Sequence, residues 1–595
     1  MAERQRGIAI SRREFIALAG ATAGLATLAG LGISPGWTEN RVETNTDKIK
    51  RSVIRSDVLV IGGGMAGLFA AIKAHDAGAK VVMVSKGRLG SSGQTPFAKG
   101  IFEFDEKTSK VSLEEFVEQV SRSALGSNNR AYTRQMAAHS KARVEELREW
   151  GFFESALYHD SFRKPIDERN IEVLERIMIT HLIRENGTIA GAAGFGLDDE
   201  KIYFFNAKSV VLCTGAGGFK PNGFPIRDLT HDGSVMAYEI GARVTGKEWN
   251  DGHVAMAQNP AACYDGWHGM FERKPSTTGV EVHHDLGVDL NYLAYVKGAP
   301  VSMGPPGSKN LNISGGPYVP DEFRRRVPSE KNRRAPEGEG RPPTDDRRPP
   351  GGKGPKDGGP PGMMGQSVGG ASAGLAIHKS EGLVPINDRC ATDIPGLYAA
   401  GDALGSHMSG GIYTQIGSSL AGSAVQGAIA GEEAAVYAKQ VALQKISAAK
   451  REQIKNEILA PLKRESGYSP AWVTQTLQGV LIPNFVLYIK RGAILQAALA
   501  YLEELRDHHL TMLIAKDMHE LRLAHETKNM IISAEMKLRA SLYRTESRLS
   551  HYRLDYPEMD DKNWRAWINI YKGADGRMKL EKQPFGYWPD GRRIG

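Results

Sequence analysis

Apolar and polar positions alternate in two different ways along this chain. Residues 57–61, 81–84 and 210–212 contain short apolar runs without helical spacing, which is typical of strands buried in a parallel sheet. Residues 112–150 instead carry apolar positions three and four apart, as do residues 451–543, and this spacing predicts amphipathic helices. The early part therefore predicts an α/β fold with a doubly wound sheet, and the later part predicts a helical bundle.

Glycines follow the first predicted strand at a defined spacing. Gly62, Gly64 and Gly67 match the G-x-G-x-x-G motif at the point where a helix begins. Gly62 permits a tight turn, Gly64 lacks the Cβ that would block a pyrophosphate, and Gly67 lets the helix pack closely on the strand. We interpret the motif as a dinucleotide site at the positive end of the helix. A structural turn without a ligand is the alternative.

The next segments carry a resemblance to a known family. The second strand ends at Ser85-Lys86, and residues 94–100 follow with the sequence Q-T-P-F-A-K-G. They resemble the strand end and flavin loop of the flavoprotein subunits of fumarate reductase and succinate dehydrogenase, which implies FAD as the cofactor. In that family a histidine in this loop often carries FAD covalently. Gln94 stands there in this chain, and because an amide cannot attack the flavin methyl group, we expect non-covalent FAD.

Later motifs extend the resemblance to most of the chain. Residues 210–218 give a strand and a Thr-Gly turn, which the family uses beside the adenosine half of FAD. Asp402 follows a short strand at a glycine turn, where the family holds the ribitol chain. The helix starting in residues 417–422 would point its N-terminus at the flavin and stabilise negative charge on the reduced ring. Residues 545–564 resemble the closing signature of succinate dehydrogenase, fumarate reductase, aspartate oxidase and adenylylsulfate reductase flavoproteins.

Taken together, the motifs and the resemblance predict a set of FAD-binding residues. These are Gly62, Gly64, Met65, Ala66, Gly67, Ser85, Lys86, Gln94, Thr95, Ala98, Gly100, Thr214, Gly215, Asp232, Asp402, Ser418, Ser419 and Leu420. No metal site is predicted, since the adjacent His283 and His284 would point to opposite faces of a strand.

The substrate residues of the family are mostly missing. His253 falls on the histidine that binds a substrate carboxylate, although a structural histidine is the alternative. The motif T-E-G-x-R-G-E-G-G, whose arginine is the family's proton donor in fumarate reduction, does not occur in residues 261–327, and Thr414 stands where the family has its substrate arginine. Matching Gly369-Gly370 to the family's paired glycines leaves its second substrate histidine unmatched.

Two other polar side chains are candidates for the reaction. His407 and Tyr413 flank Gly410-Gly411, and we predict that they contact the substrate as catalytic residues together with His253. Because Thr414 cannot replace the bidentate pairing of an arginine with a carboxylate, succinate and fumarate are expected to be poor substrates.

The N-terminus predicts export. Residues 11–16 read S-R-R-E-F-I and precede a weakly apolar stretch at residues 17–33, which is typical of a twin-arginine signal. A periplasmic or otherwise extracytoplasmic location is therefore expected. With no run of eighteen apolar residues elsewhere, membrane association is expected only through a partner or an uncleaved N-terminus.

The composition of the chain excludes some classes of binding partner. The formal net charge of +8 comes without interleaved basic and aromatic residues, so nucleic acid is not an expected partner. The three cysteines, at positions 213, 263 and 390, lie too far apart for a four-thiolate cluster. Electrons passing through the flavin are thus expected to reach an iron–sulfur or cytochrome partner.

These observations predict an FAD-binding Rossmann-like domain, an α+β capping domain and a C-terminal helical domain. The boundaries are residues 1–50 for the signal and linker, 51–250 and 365–440 for the two parts of the FAD domain, 251–364 for the capping domain, and 441–595 for the helical domain and tail. Residues 328–361 are a Pro- and Gly-rich insert that is predicted to be disordered.

The leading functional hypothesis is an FAD-dependent oxidoreductase that acts on a small organic substrate. A non-catalytic or electron-transfer subunit of a redox complex is one alternative, and a flavin oxidase that passes electrons to oxygen is another.

Overall fold

The computed structural model describes residues 37–39, 44–98, 100–154, 158–219, 229–250, 255–256, 367–368, 380–411, 417–482 and 484–595. Its strands are β1 Trp37–Glu39, β2 Lys50–Ile61, β3 Val81–Ser85, β4 Glu172–Glu175, β5 Ile177–Glu185, β6 Thr188–Gly196, β7 Lys201–Leu212, β8 Val244–Thr245, β9 Ala255–Met256, β10 Ser367–Val368, β11 Gly382–Leu383, β12 Leu397–Ala399, β13 Ser466–Tyr468, β14 Ile489–Lys490, β15 Tyr552–Arg553, β16 Ala566–Lys572 and β17 Met578–Pro584.

Its α-helices are α1 Met65–Asp76, α2 Glu106–Ser109, α3 Leu113–Ser123, α4 Arg130–Glu149, α5 Tyr158–Glu168, α6 Asp232–Glu239, α7 Ser418–Gln440, α8 Ala448–Leu459, α9 Pro470–Leu481, α10 Asn484–Leu487, α11 Gly492–Glu504, α12 Met518–Tyr543 and α13 Asp561–Trp564. Across the described ranges, no helix has both the length and the apolar character that a membrane crossing would need.

A seven-stranded mixed sheet carries the first part of the fold. Its order is β4-β3-β2-β7-β6-β5, and β12 also pairs with β7. The pairs among β4, β3, β2, β7 and β12 are parallel, whereas β5, β6 and β7 form an antiparallel meander. Ile61 pairs with both Val84 and Leu212, so β2, β3 and β7 end together at one edge. The predicted α/β sheet is confirmed, with the meander added to it.

Two helices cross closely on one face of this sheet. A Cβ at Gly427 of α7 would lie 2.2 Å from the Ala66 carbonyl oxygen, and one at Gly431 would lie 2.3 Å from that of Ala70 in α1. Only glycine allows the two backbones to approach so closely. As a result, α1 and α7 are held together at the end of the sheet where the glycine motif lies.

The C-terminal region is built on the long helix α12. Apolar side chains of α9, α11 and α12 form one core, which includes Leu477, Leu495, Leu502, Ile531 and Leu538. The predicted helical character of this region is confirmed, because the amphipathic spacing reports burial of one helix face.

A β-hairpin follows the helices and joins the chain back to the first domain. β16 pairs antiparallel with β17 and with β8, and β8 pairs antiparallel with β11, which gives a four-stranded sheet of order β11-β8-β16-β17. β8 and β11 flank the region from residue 251 to residue 379, most of which lies outside the described residues. The tail thus forms ordered strands that the sequence analysis did not predict.

Candidate functional site: a dinucleotide cleft

A cleft opens at the edge where β2, β3 and β7 end. Many of the predicted cofactor residues line it, namely Gly62, Gly64, Met65, Ala66, Ser85, Lys86, Gln94, Thr95, Thr214, Gly215, Asp232 and Asp402. The chain thereby brings together four segments that are far apart in sequence: the glycine motif, the second strand end with its loop, the Thr-Gly turn and the Ala-Gly-Asp turn.

The glycine motif has the geometry that its sequence predicts. Gly62 has φ +118°, and a Cβ there would lie 2.1 Å from the Cys213 carbonyl oxygen. A Cβ at Gly67 would lie 1.9 Å from the Gly62 carbonyl oxygen. Gly64 is the N-cap of α1, and the Met65 amide behind it donates to Thr95 Oγ1 at 3.2 Å. Gly64, Met65 and Ala66 line the cleft, so the positive end of α1 lies beside it, where an anion is favoured.

Two buried polar atoms in the cleft wall test whether FAD fits. Within the described residues, Thr214 Oγ1 and Gln94 Oε1 are buried without a hydrogen-bond partner. A buried polar atom is costly to leave unpaired, so both atoms need a partner that the folded chain does not supply. Both residues line the cleft, and a large polar cofactor such as FAD would provide that partner.

The start of α7 adds further polar groups beside Asp402. Gly417, with φ +80°, is the N-cap of α7 and accepts a hydrogen bond from the Phe102 amide at 3.1 Å. Ser419 Oγ donates to Asp402 Oδ1 at 3.3 Å. Two predicted cofactor residues are thus in direct contact, and Ser418 and Leu420 lie in the same first helical turn.

A buried ionic cluster forms another wall. Lys86 Nζ donates to Thr230 Oγ1 at 3.0 Å, to Asp232 Oδ2 at 2.7 Å and to Glu526 Oε1 at 2.8 Å. Burial lowers the pKa of Lys86, but the two carboxylates outweigh it, and the net result is a raised pKa. Lys86 is therefore a charged group of the cleft whose three N–H donors already have partners.

The remaining predicted cofactor residues, including Ser418, Ser419 and Leu420, do not line the cleft. Gly67 is inside α1, Ala98 follows the 3-10 turn Thr95–Phe97, and Gly100 is buried after the loop. Their roles in binding stay predictions.

The structure describes only some of the predicted substrate residues. His253 and Tyr413 lie outside the described residues, as does Thr414. His407 is 4% exposed, and its ring stacks on Trp567 with centroids 4.9 Å apart. Its Nε2 lies 3.2 Å from Thr245 Oγ1. A substrate role for His407 stays a prediction, and its described contacts are those of a packed side chain.

The short segment from residue 247 to residue 250 leads from β8 towards His253, and all four of its residues are buried. Lys537 Nζ donates to the carbonyl oxygens of Lys247 at 2.8 Å and Trp249 at 2.7 Å. Lys490 Nζ donates to the Glu248 carbonyl oxygen at 2.6 Å. Lysine amines of the C-terminal region thus donate to backbone acceptors in a segment that forms neither helix nor sheet.

Sequence reasoning missed several residues of the cleft. Cys213, Met236 and Ser423 line it, and Glu526 of α12 accepts a hydrogen bond from the lining residue Lys86. Glu526 is an acidic residue in an amphipathic helix, and nothing local distinguishes it from a solvent-facing one. Among the described residues, no group of three or more His, Cys, Asp or Glu side chains is placed to hold a metal ion.

Comparisons with known proteins agree with this geometry. Residues 57–167 match the family model described as FAD binding domain, and residues 476–588 match the one described as fumarate reductase flavoprotein C-term. An uncharacterized FAD-dependent oxidoreductase of Methanocaldococcus jannaschii is 25% identical over 578 residues, covering 89% of this chain and 98% of the relative. A chain of the CoM/CoB fumarate reductase of Methanothermobacter marburgensis is 24% identical over 597 residues, with the same coverage of 89% and 98%.

The two matched segments and the full-length relatives thus make the chain similar to the flavoproteins of fumarate reductase. It is an FAD-dependent oxidoreductase. A solved structure of E. coli quinol fumarate reductase has a TM-score of 0.66 at 17% identity, covering 90% of this chain and 97% of that one, and this shows that the flavoprotein shares its fold.

Proposed function

We propose that this flavoprotein transfers a hydride, or electrons, between non-covalent FAD and a small organic substrate other than fumarate or succinate. Gln94 carries the first part of this proposal. It lines the cleft, where relatives often have a histidine that bonds to FAD, and its carboxamide is not a nucleophile. Bound FAD would accept or donate two electrons, and the protein would hold it by packing, hydrogen bonds and charge alone.

The substrate proposal rests on the absence of the arginines that bind substrate carboxylates in the related flavoproteins. An arginine binds a carboxylate through two parallel hydrogen bonds, and Thr414 offers a single hydroxyl in its place. A buried dicarboxylate without an opposite charge would bear its full desolvation cost. Fumarate is still the first compound to test, because the relative from Methanothermobacter is named a fumarate reductase.

The described residues support a role in stabilising reduced FAD. The N-terminal turn of α7 carries Ser418 and Ser419 next to Asp402, and the positive end of a helix favours negative charge nearby. We propose that the electrons leave through an external iron–sulfur or cytochrome protein, since the cysteines of the chain are too far apart in sequence for a cluster of its own.

Two measurements test this function. An absorption spectrum is recorded before and after acid precipitation, and yellow FAD is expected in the supernatant. A yellow pellet with a colourless supernatant would mean covalent flavin and would overturn the interpretation of Gln94. Oxidation of a reduced viologen dye is then followed with fumarate, with other unsaturated acids and without an acceptor. Fumarate is expected to give little above the rate without an acceptor, and fast turnover with fumarate would refute the substrate proposal.

The electron acceptor is tested in the same preparation. Peroxide formed during turnover in air would favour a flavin oxidase over an enzyme with a protein partner. No peroxide, together with reoxidation by an added electron-transfer protein, would support the partner.

We also propose that the flavoprotein is exported as a folded protein by the twin-arginine route, on the strength of Arg12-Arg13 and the weakly apolar residues after them. Such a route suits a protein that must acquire FAD before it crosses the membrane.

A further inference from the structure

Two residues that line the cleft assigned to FAD, Lys86 and Asp232, are hydrogen-bonded by side chains from the C-terminal region. Glu526 and Asn529 stand three residues apart on α12, so they share one helix face, and both are nearly fully buried. Glu526 bonds Lys86, and Asn529 bonds Asp232. Both partners line the cleft, while α12 itself begins more than 400 residues after Lys86.

Asp232 is fixed by three donors from three different parts of the chain. Its Oδ2 accepts from Lys86 Nζ at 2.7 Å, and its Oδ1 accepts from Thr230 Oγ1 and Asn529 Nδ2, both at 2.8 Å. Burial raises the pKa of Asp232, but Lys86 and the other donors outweigh it and lower its pKa overall. Asp232 is therefore ionised and held in one orientation.

The charges of the cluster balance. Arg522 Nη1 donates to Glu526 Oε1 at 3.0 Å, so two cations, Arg522 and Lys86, face two carboxylates, Glu526 and Asp232. Removal of the Glu526 charge would leave one excess positive charge beside a cleft that is suited to an anionic pyrophosphate. Removal of the Asn529 amide would free the Asp232 carboxylate without any change of charge.

We propose that α12 is part of the FAD site, and that Glu526 and Asn529 are positioning residues that hold Lys86 and Asp232 so that the cleft retains FAD. FAD retention then depends on the C-terminal region, which contributes no glycine motif and no predicted FAD contact. This inference goes beyond the proposed function, since it holds for any substrate.

The first variant is Asn529→Leu, which has a similar volume and no donor. The dissociation of FAD is followed by the rise in flavin fluorescence after dilution of the holoprotein. Loss of this hydrogen bond leaves the Asp232 carboxylate free to move, so we expect FAD release to be faster by about tenfold. Because the charge is unchanged, the acceleration should be the same at low and high salt.

The second variant is Glu526→Gln, which keeps the shape and removes the charge. At high salt this variant should release FAD faster than the wild type, because Glu526 no longer holds Lys86 through a charged hydrogen bond. At low salt the unpaired positive charge should attract the pyrophosphate and offset part of the loss, because salt screens such an attraction. A salt dependence steeper than that of the wild type is therefore expected for this variant alone.

Glu535→Gln is the matched control. Glu535 is also a buried carboxylate of α12, but it pairs with Arg506 at 2.6 Å and Arg539 at 2.8 Å, and neither of these partners lines the cleft. Its variant should release FAD at the wild-type rate. Equal acceleration in all three variants would mean general loosening of α12, and wild-type release from Asn529→Leu would also overturn the proposal. Should Glu526→Gln fail to fold, Asn529→Leu still decides the question.

Discussion

Among single residues, His407 shows how tertiary packing sets the chemistry of a side chain. It adopts a left-handed backbone conformation with φ +48° and stacks on Trp567. Within the described residues its Nδ1 is buried without a partner. Burial, with a smaller contribution from Arg544, lowers the pKa of His407 to about 3. The imidazole is therefore neutral at physiological pH, which does not suit a proton donor that must be an imidazolium.

The depressed pKa of His407 predicts acid sensitivity. An unfolded histidine has a pKa of about 6.5, so the unfolded state binds more protons below that pH. The stability from neutral His407 is present above pH 6.5 and is lost as the pH falls towards 3, by about 1.4 kcal/mol per pH unit. The melting temperature is measured between pH 7 and pH 4, and His407→Gln should show a shallower decline than the wild type.

His508→Gln is the control for this experiment, because the His508 side chain is 67% exposed. It should follow the wild-type decline. An unchanged slope in His407→Gln would mean that His407 does not drive the acid loss of stability.

Among the helices and strands, α1 and α7 cross closely, and each contributes residues to the cleft. Both helices line the cleft, α1 through Gly64 and Met65 and α7 through Ser423. Gly427 and Gly431 set the distance between the helices, since a Cβ at either would meet backbone oxygen of α1. Small residues in the middle of α7 therefore act on the cofactor site from a distance.

Alanine at Gly431 is predicted to destabilise the protein. A helical Gly→Ala change normally gains about 0.5–1 kcal/mol from backbone entropy. Here the new Cβ would lie 2.3 Å from the Ala70 carbonyl oxygen, and such overpacking costs about 1–3 kcal/mol. We expect a lower melting temperature and faster FAD release.

Gly479→Ala in α9 is the matched substitution, and it is expected to change the melting temperature in the opposite direction. A Cβ at Gly479 meets nothing within 4 Å, so only the entropic gain remains, and the melting temperature should rise slightly. If both variants moved in the same direction, the close approach of α1 and α7 would not be the limiting contact.

Across the whole molecule, the C-terminal region joins parts that are distant in sequence. Its hairpin pairs with β8, Glu526 of its helix α12 bonds to the cleft residue Lys86, and its Lys537 and Lys490 bind the segment that leads away from β8. The cofactor site is therefore completed only when the end of the chain has folded.

The export proposal predicts a specific dependence on the paired arginines. Replacement of Arg12 and Arg13 by lysine keeps the charge but removes the motif, and the protein should then stay in the cytoplasm of a bacterial host, as measured by cell fractionation. The same change at Arg4 and Arg6 is the control and should leave export intact. Export of the Arg12→Lys/Arg13→Lys protein at the control level would refute the twin-arginine route.

Local geometry made several parts of the fold predictable from the amino-acid sequence. Gly62 and Gly67 could be placed because a tight turn and a close helix–strand contact exclude a Cβ, whatever the rest of the chain does. The apolar runs at β2, β3 and β7 identified buried strands, since polar residues are costly there. Asp402 and Gln94 were found through motifs that lie in continuous stretches.

Contacts between distant segments emerged only in the folded chain. Glu526 and Asn529 look like ordinary polar positions of an amphipathic helix, and their burial against Lys86 and Asp232 depends on how α12 packs. The pairing of β16 with β8 and the burial of His407 under Trp567 likewise join residues far apart in sequence. These contacts escape prediction because apolar periodicity shows which face of an element is buried, but not which partner covers it.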